Sequence, residues 1–299
     1  LIVTDSVFSM DGDIAPLIDI AELAERHDAR LLVDEAHATG AIGPGGRGVV
    51  AAAGLEGQVD VIVGTLGKAL GSYGAYVCAQ ESVIQYLVNR ARPLIFSTAP
   101  APPAVAGALA ALDLLEERPH RVDRLRLAAR ALSGALASEG FAVAESERHI
   151  VPLVLGDERQ ALALSQAAVE RGVFVQAIRP PSVPDGTARL RLSVMSSHTG
   201  AELRGAARLL GRIAREQGLD PAGIGPAAGR PGEIEDVGRE EMAYGEAVGG
   251  RSPFEAEMEW VAGDPRHEES ESAAWAGAGP MGPSALFDIE RDNAVRRAA

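Results

Sequence analysis

The chain has 28 basic side chains, and Lys68 is its only lysine. It stands in "TLGKALGS" (65–72), bracketed by Gly64, Gly67 and Gly71. Where positive charge alone suffices, this sequence uses arginine. A lysine amine differs in that it can lose its proton and form a Schiff base with an aldehyde. Glycines on either side let the backbone come close to a bound group.

A second chemical stretch is "VDEAHATG" (33–40), in which Asp34 and His37 sit where an apolar run ends. A carboxylate there can hold a cation or a protonated ring nitrogen. The plainer reading makes Asp34 a turn cap and His37 a satisfied loop histidine. "DEAH" is also a helicase motif, which needs a phosphate-cradling G-x-x-x-x-G-K-[ST]. Here the first glycine falls on Ile62 and the residue after Lys68 is Ala69, so the motif fails.

Lys68 and Asp34 together fit pyridoxal phosphate (PLP). That cofactor needs an amine for its aldehyde, a carboxylate beside its pyridinium nitrogen, and donors for its phosphate and phenolic oxygens. Thr65 offers a hydroxyl to the phosphate, and His37 is placed for the phenolic oxygen. Arg189 and Arg191, two apart in "TARLRLSV", share one face of a strand, and one of them suits a bidentate grip on a substrate carboxylate.

These side chains need elements to position them. "LIVTD" (1–5), "RLLVDEAH" (30–37), "VDVIVGT" (59–65) and "GAYVCA" (74–79) read as strands, with a helical pattern over 16–28. Strand, helix, strand predicts a parallel sheet of the α/β class, whose ligands collect at the C-terminal strand ends. Helices are predicted over 101–118, 121–138, 159–172 and 201–216. Strands are predicted in "FAVAE", "HIVPLVLG", "VFVQAI" and "ARLRLSV". The expected division is 1–100 as part of a large cofactor-binding domain, 101–216 as a small α+β domain with connecting helices, and 217–299 as an acidic, Gly/Pro/Ala-rich disordered tail.

Composition narrows the function classes. Net charge is −14, and residues 216–299 hold 18 Asp and Glu against 7 Arg, leaving residues 1–215 at −3. A nearly neutral body argues against nucleic-acid binding. No apolar run is long enough for a membrane span. One cysteine, Cys78, rules out an internal disulfide and a thiolate cluster, fits a cytoplasmic setting, and reads as a buried strand residue. No metal site is expected. His27, His120, His149 and His198 read as exposed or capping residues, and His267 and Trp260 as tail residues. The start inside a strand, without Met, suggests an N-terminally incomplete chain.

Five motifs in order resemble the α-oxoamine synthases, PLP-dependent enzymes of fold type I. They are "VFSMDGD", "VDEAHATGAIGPGGRG", "TLGKALGSYGAY", "ARPLIFSTAPAPP" and "AIRPPSVPDGTARLRLS". The resemblance covers roughly 1–215. Its wording is nearest the biotin-biosynthesis branch, which condenses L-alanine with a pimeloyl thioester, on CoA or acyl-carrier protein, to 8-amino-7-oxononanoate. The resemblance implies Lys68 as the cofactor lysine and the base for the alanine Cα proton, with His37 as its catalytic companion. It implies Ser9, Asp34, His37, Thr65 and Thr98 as cofactor contacts, with Thr98 supplied by the neighbouring subunit of a homodimer. It implies Ser182 and Arg191 as substrate contacts. Ala99 stands where the family often has serine, and Ser97 or Thr98 could instead cap the following helix. Alternatives are a glycine-using synthase, or an inactive paralogue that serves as a scaffold. The family's cofactor-stacking side chain and phosphate-binding helix start belong to a segment absent from this sequence. The isolated chain is therefore expected to bind PLP weakly and not to turn over.

Overall fold

A computed structural model describes residues 1–144 and 146–225. The chain opens with strand β1 (Ile2–Asp5), helix α1 (Leu17–Arg26) and strand β2 (Leu31–Asp34). Helix α2 (Val49–Ala52) and strands β3 (Val61–Thr65) and β4 (Ala75–Ala79) follow. The sheet order is β1-β2-β3-β4. β1, β2 and β3 are parallel, with Asp5 beside Asp34 and Asp34 beside Val63. Their C-terminal ends therefore share one edge, and the loops after them carry Ser9, His37 and Lys68.

β4 departs from the expected parallel order. It pairs antiparallel with β3, Thr65 opposite Ala75. The nine residues 66–74 form no helix, and so short a link cannot cross the sheet to return parallel. Cys78 is exposed rather than buried, on β4, which is the last strand of its sheet.

α1 buries Leu17, Ala21 and Ala24, one helical stripe, against Leu31 and Val33 of the sheet. Val7, Val49, Val50 and Leu55 complete that core, and Ile150 joins it from the second half of the described chain.

Helices α3 (Glu81–Arg90), α4 (Arg92–Ile95) and α5 (Pro102–Glu117) come next. α3 and α4 bury no residue and α5 buries only Ala108. Tyr86, Leu94, Phe96, Val105, Leu109 and Leu112 are left exposed. The N-cap of α5 is Ala101, with no side-chain cap, so neither Ser97 nor Thr98 plays that part.

Helix α6 (His120–Ser138) leads to strand β5 (Ile150–Gly156), helix α7 (Glu158–Val169), and strands β6 (Gln176–Ile178) and β7 (Ala188–Ser193). Helix α8 (Gly200–Glu216) closes the series. These strands form an antiparallel sheet ordered β5-β7-β6. α7 starts where the Asp157 side chain accepts from the Arg159 and Gln160 N–H groups. α8 starts with a capping box between Thr199 and Glu202.

Residues 141–144 of "FAVAE" form no strand. The Ala142 N–H instead bonds the Ile224 carbonyl at 2.9 Å, and Val154 pairs with Gly225. The chain just beyond Gln217 is thus packed, with Pro221 and Ile224 buried. Residues 226–299, which include His267 and Trp260, lie outside the described residues. No helix among the described residues is long and apolar enough to cross a membrane.

Candidate active site

The sheet edge brings five of the sequence-predicted residues together: Ser9, Asp34, His37, Lys68 and Arg191. Lys68 occupies the loop joining β3 to β4. The Leu66 N–H bonds the Gly74 carbonyl at 2.9 Å, and the Gly71 N–H bonds the Lys68 carbonyl at 2.9 Å. The Thr65 hydroxyl organises the same turn, donating to the Gly74 carbonyl at 3.2 Å and accepting from the Gly67 N–H at 3.1 Å. Gly71 has φ +60°, in the left-handed region that lets this turn close.

Burial lowers the Lys68 pKa; Asp34 pulls it back up, Arg191 pushes it further down, and Asp5 again raises it. Lowering favours the neutral amine that carbonyl chemistry uses. Asp34 Oδ1 accepts the Ala36 N–H at 2.7 Å, so the turn-capping role is present alongside its place near Lys68.

His37 has its pKa lowered to about 4, first by burial and then by the Lys68, Arg191 and His149 charges, with Asp34 opposing. It is therefore neutral near pH 7. Arg191 comes from β7. Its Nε donates to the Ser9 carbonyl at 2.5 Å and its Nη1 to Ser193 Oγ at 3.0 Å. Burial lowers its pKa. Arg189 is 3% exposed and paired with Asp11, while its Nε donates to the Thr187 carbonyl at 3.0 Å. Of the two arginines, Arg191 is the one beside Lys68 and His37.

Thr98 and Ser182 are not part of this cluster. Both are exposed: Thr98 lies between α4 and α5, and Ser182 in the turn where its N–H bonds the Arg179 carbonyl.

Two residues escaped the sequence reading. Asp5 ends β1 as Asp34 ends β2, and its pKa is raised by burial and by Asp34, with Lys68 opposing. Its position at the end of "LIVTD" was the available signal. His149 is half-buried rather than exposed or capping. Burial and Arg191 lower its pKa to about 4, and its ring hydrogen-bonds the His37 backbone. That contact depends on packing between segments 112 residues apart, which no local pattern reveals.

Residues 1–210 match the family of class I and II aminotransferases. The chain belongs to that family. A curated 8-amino-7-oxononanoate synthase from Anaeromyxobacter dehalogenans is 50% identical over 223 residues, 75% of this chain and 56% of the relative. A second, from Citrifermentans bemidjiense, is 45% identical over 221 residues, 73% of this chain and 57% of its own length. The chain thus spans about half the length of the curated relatives it matches.

Among solved structures, serine palmitoyltransferase from S. paucimobilis with a bound PLP–myriocin aldimine matches with TM-score 0.69 and 38% identity. The match covers 72% of this chain and 55% of that one. An 8-amino-7-oxononanoate synthase from Francisella tularensis matches with TM-score 0.63 and 27% identity, covering 73% and 63%. The α/β architecture is accordingly fold type I of the PLP-dependent enzymes, and the resemblance to the α-oxoamine synthases holds.

Proposed function

We propose that the full-length protein is a PLP-dependent acyltransferase that condenses L-alanine with a pimeloyl thioester and releases CO₂, forming 8-amino-7-oxononanoate. The observation that carries this reading is the convergence of Lys68, Asp34, His37 and Arg191 at one sheet edge. The 45–50% identity to the two curated synthases described above supports it.

The residues present suit PLP. Lys68 offers an amine whose pKa burial lowers, for the aldehyde. Asp34 offers a carboxylate for the ring nitrogen, and neutral His37 a hydrogen bond for the phenolic oxygen. Ser9 and Thr65 offer hydroxyls, although a phosphate must take the proton that Thr65 now gives to Gly74. When bound, the cofactor supplies an electron sink for the carbanion formed at the amino-acid Cα.

The chain's own residues do the rest. Arg191 holds the amino-acid carboxylate, which fixes the Cα–H bond relative to the Lys68 Nζ. Lys68, freed as a neutral amine, accepts the Cα proton. Asp34 keeps the ring nitrogen protonated by proximity of its charge. His37, neutral at working pH, is placed to donate to a developing oxyanion on the thioester carbonyl. Thr98 fits a phosphate contact from a second subunit of a homodimer, and the exposed apolar side chains around it are consistent with such a boundary. Ser182, exposed and outside the cluster, is offered as a substrate contact on the resemblance alone. The single cysteine fits a cytoplasmic setting.

The likeness to serine palmitoyltransferase favours one competing reading, a different amino acid in the same site. The test uses full-length protein with PLP and pimeloyl-CoA or pimeloyl-carrier protein, offered alanine, glycine and serine in competition. Alanine-dependent thioester release well above the others is expected. Preference for glycine or serine would overturn the substrate assignment. Borohydride reduction should leave a pyridoxyl group on the Lys68 peptide, and an unlabelled peptide from the loaded protein removes the whole reading.

A further inference from the structure

We propose that Arg189 and Asp11 act as a positioning pair, which sets the turn bearing Ser9 against β7 and thereby places Arg191 beside Lys68. The inference rests on the reading that Lys68 holds PLP and Arg191 meets the substrate carboxylate.

The turn follows β1. The Phe8 N–H bonds the Asp13 carbonyl at 2.9 Å and the Gly12 N–H bonds the Phe8 carbonyl at 2.8 Å. Its tip is wedged against the start of β5. Gly12 has φ +69°, and a Cβ there would lie 2.4 Å from the Ile150 carbonyl oxygen. From the other side two arginines of one strand face reach the same turn. Arg189 Nη1 donates to Asp11 Oδ1, and Arg191 Nε donates to the Ser9 carbonyl. The turn is thus fixed at its acidic residue and at its serine by neighbouring positions of β7.

The asymmetry of exposure indicates the role. The Arg189 side chain is 3% exposed and Asp11 is 46% exposed. A buried guanidinium left without its carboxylate is costly, so displacement of the turn is resisted. A pair buried only on its arginine side adds little net stability over an apolar replacement, and its better-attested use is to fix one arrangement of the groups that carry it. What is fixed here is the seat of the turn after β1 against β7, which carry Ser9 and Arg191. Because Arg191 bonds the same turn, a shift of the turn carries its guanidinium away from Lys68 and His37.

The experiment uses full-length protein and three variants: Asp11→Asn, Asp11→Glu, and the double variant Asp11→Asn with Arg189→Met, which strands neither charge. Three quantities are read. They are the thermal midpoint without cofactor, the PLP dissociation constant by fluorescence, and the L-alanine dissociation constant from the absorption change of bound cofactor. The double variant should melt within about 3 °C of the parent. It should lose about tenfold or more in alanine affinity and a few-fold in PLP affinity. Asp11→Glu should recover most of both, whereas a merely structural role predicts no such pattern. Parent-like affinities in the double variant overturn the proposal, and so does insolubility of that variant, since a stability role then suffices. A parent without pyridoxyl label at Lys68 shows instead that the reading of the site has failed.

Discussion

Lys68 feels two opposed influences at its own position. Burial and Arg191 favour the neutral amine, while Asp34 and Asp5 favour the ammonium. Lys68→Arg keeps a cation there but cannot form the carbonyl adduct or accept a proton. In full-length protein with PLP this change should abolish the pyridoxyl label and lower kcat by at least about a hundredfold, as read by thioester release. His37 and His149 give a second expectation. Both have pKa values near 4, below the ordinary 6.5 of histidine, so the folded state holds them neutral. The stability they contribute is present above pH 6.5 and is lost as pH falls from 6.5 toward 4, where unfolding takes up protons. Urea unfolding across that window should show an uptake approaching two protons, with His37→Asn and His149→Asn each removing about one. Lys68, Asp34 and His37 were legible because each follows an apolar run that ends at the sheet edge. Asp5 and His149 were not, since their roles come from neighbours distant in sequence.

At the scale of elements, the loop after β2 is held by a carboxyl the chemistry does not use. Glu35 is 2% exposed, and its Oε1 accepts the Val50 N–H at 2.9 Å, capping α2. Burial raises its pKa, against hydrogen bonds from Val50, Ser6 and Val49. Gly48, with φ +98°, lies so near that a Cβ would fall 1.7 Å from Glu35 Oε2. Gly48→Ala should therefore destabilise by about 2 kcal/mol or more in urea unfolding, through left-handed strain and the displaced carboxyl. A change below about 0.5 kcal/mol would contradict this account of the loop. β1 and β3 were legible to within two residues, because β-branched and Leu runs end at Asp or Thr, whereas the run read over 30–37 leaves the strand at Asp34 and becomes the loop that carries His37. The direction of β4 was less so. It depends on residues 66–74 forming a turn instead of a crossover helix. "FAVAE" alternates as a strand should, yet its neighbour is the irregular segment at Ile224, so no ladder forms.

At the scale of the described residues, the apolar surface of α3, α4 and α5 departs from an ordinary monomer's exterior. Phe96 is 77% exposed, with Leu94, Leu109 and Leu112 also open to solvent. In sedimentation velocity the 299-residue chain should associate with rising concentration. Leu109→Glu combined with Leu112→Glu should shift it toward the monomer. A monomer at every concentration would count against the homodimer. The fold class was legible in the order of apolar runs. This surface was not, because an apolar helical stripe looks the same whether its partner is its own sheet or another chain.

Lys68 is exposed although partly desolvated, and this has a practical corollary for anyone handling this chain. Apart from the terminal amine, it is the only primary amine of the 299 residues. Amine coupling to a sensor chip or resin under conditions that spare the terminus would tether every molecule by its reactive mouth. A binding assay on such a support would read zero from a sound protein. Attachment through the exposed thiol of Cys78, on the outer strand, leaves that mouth open.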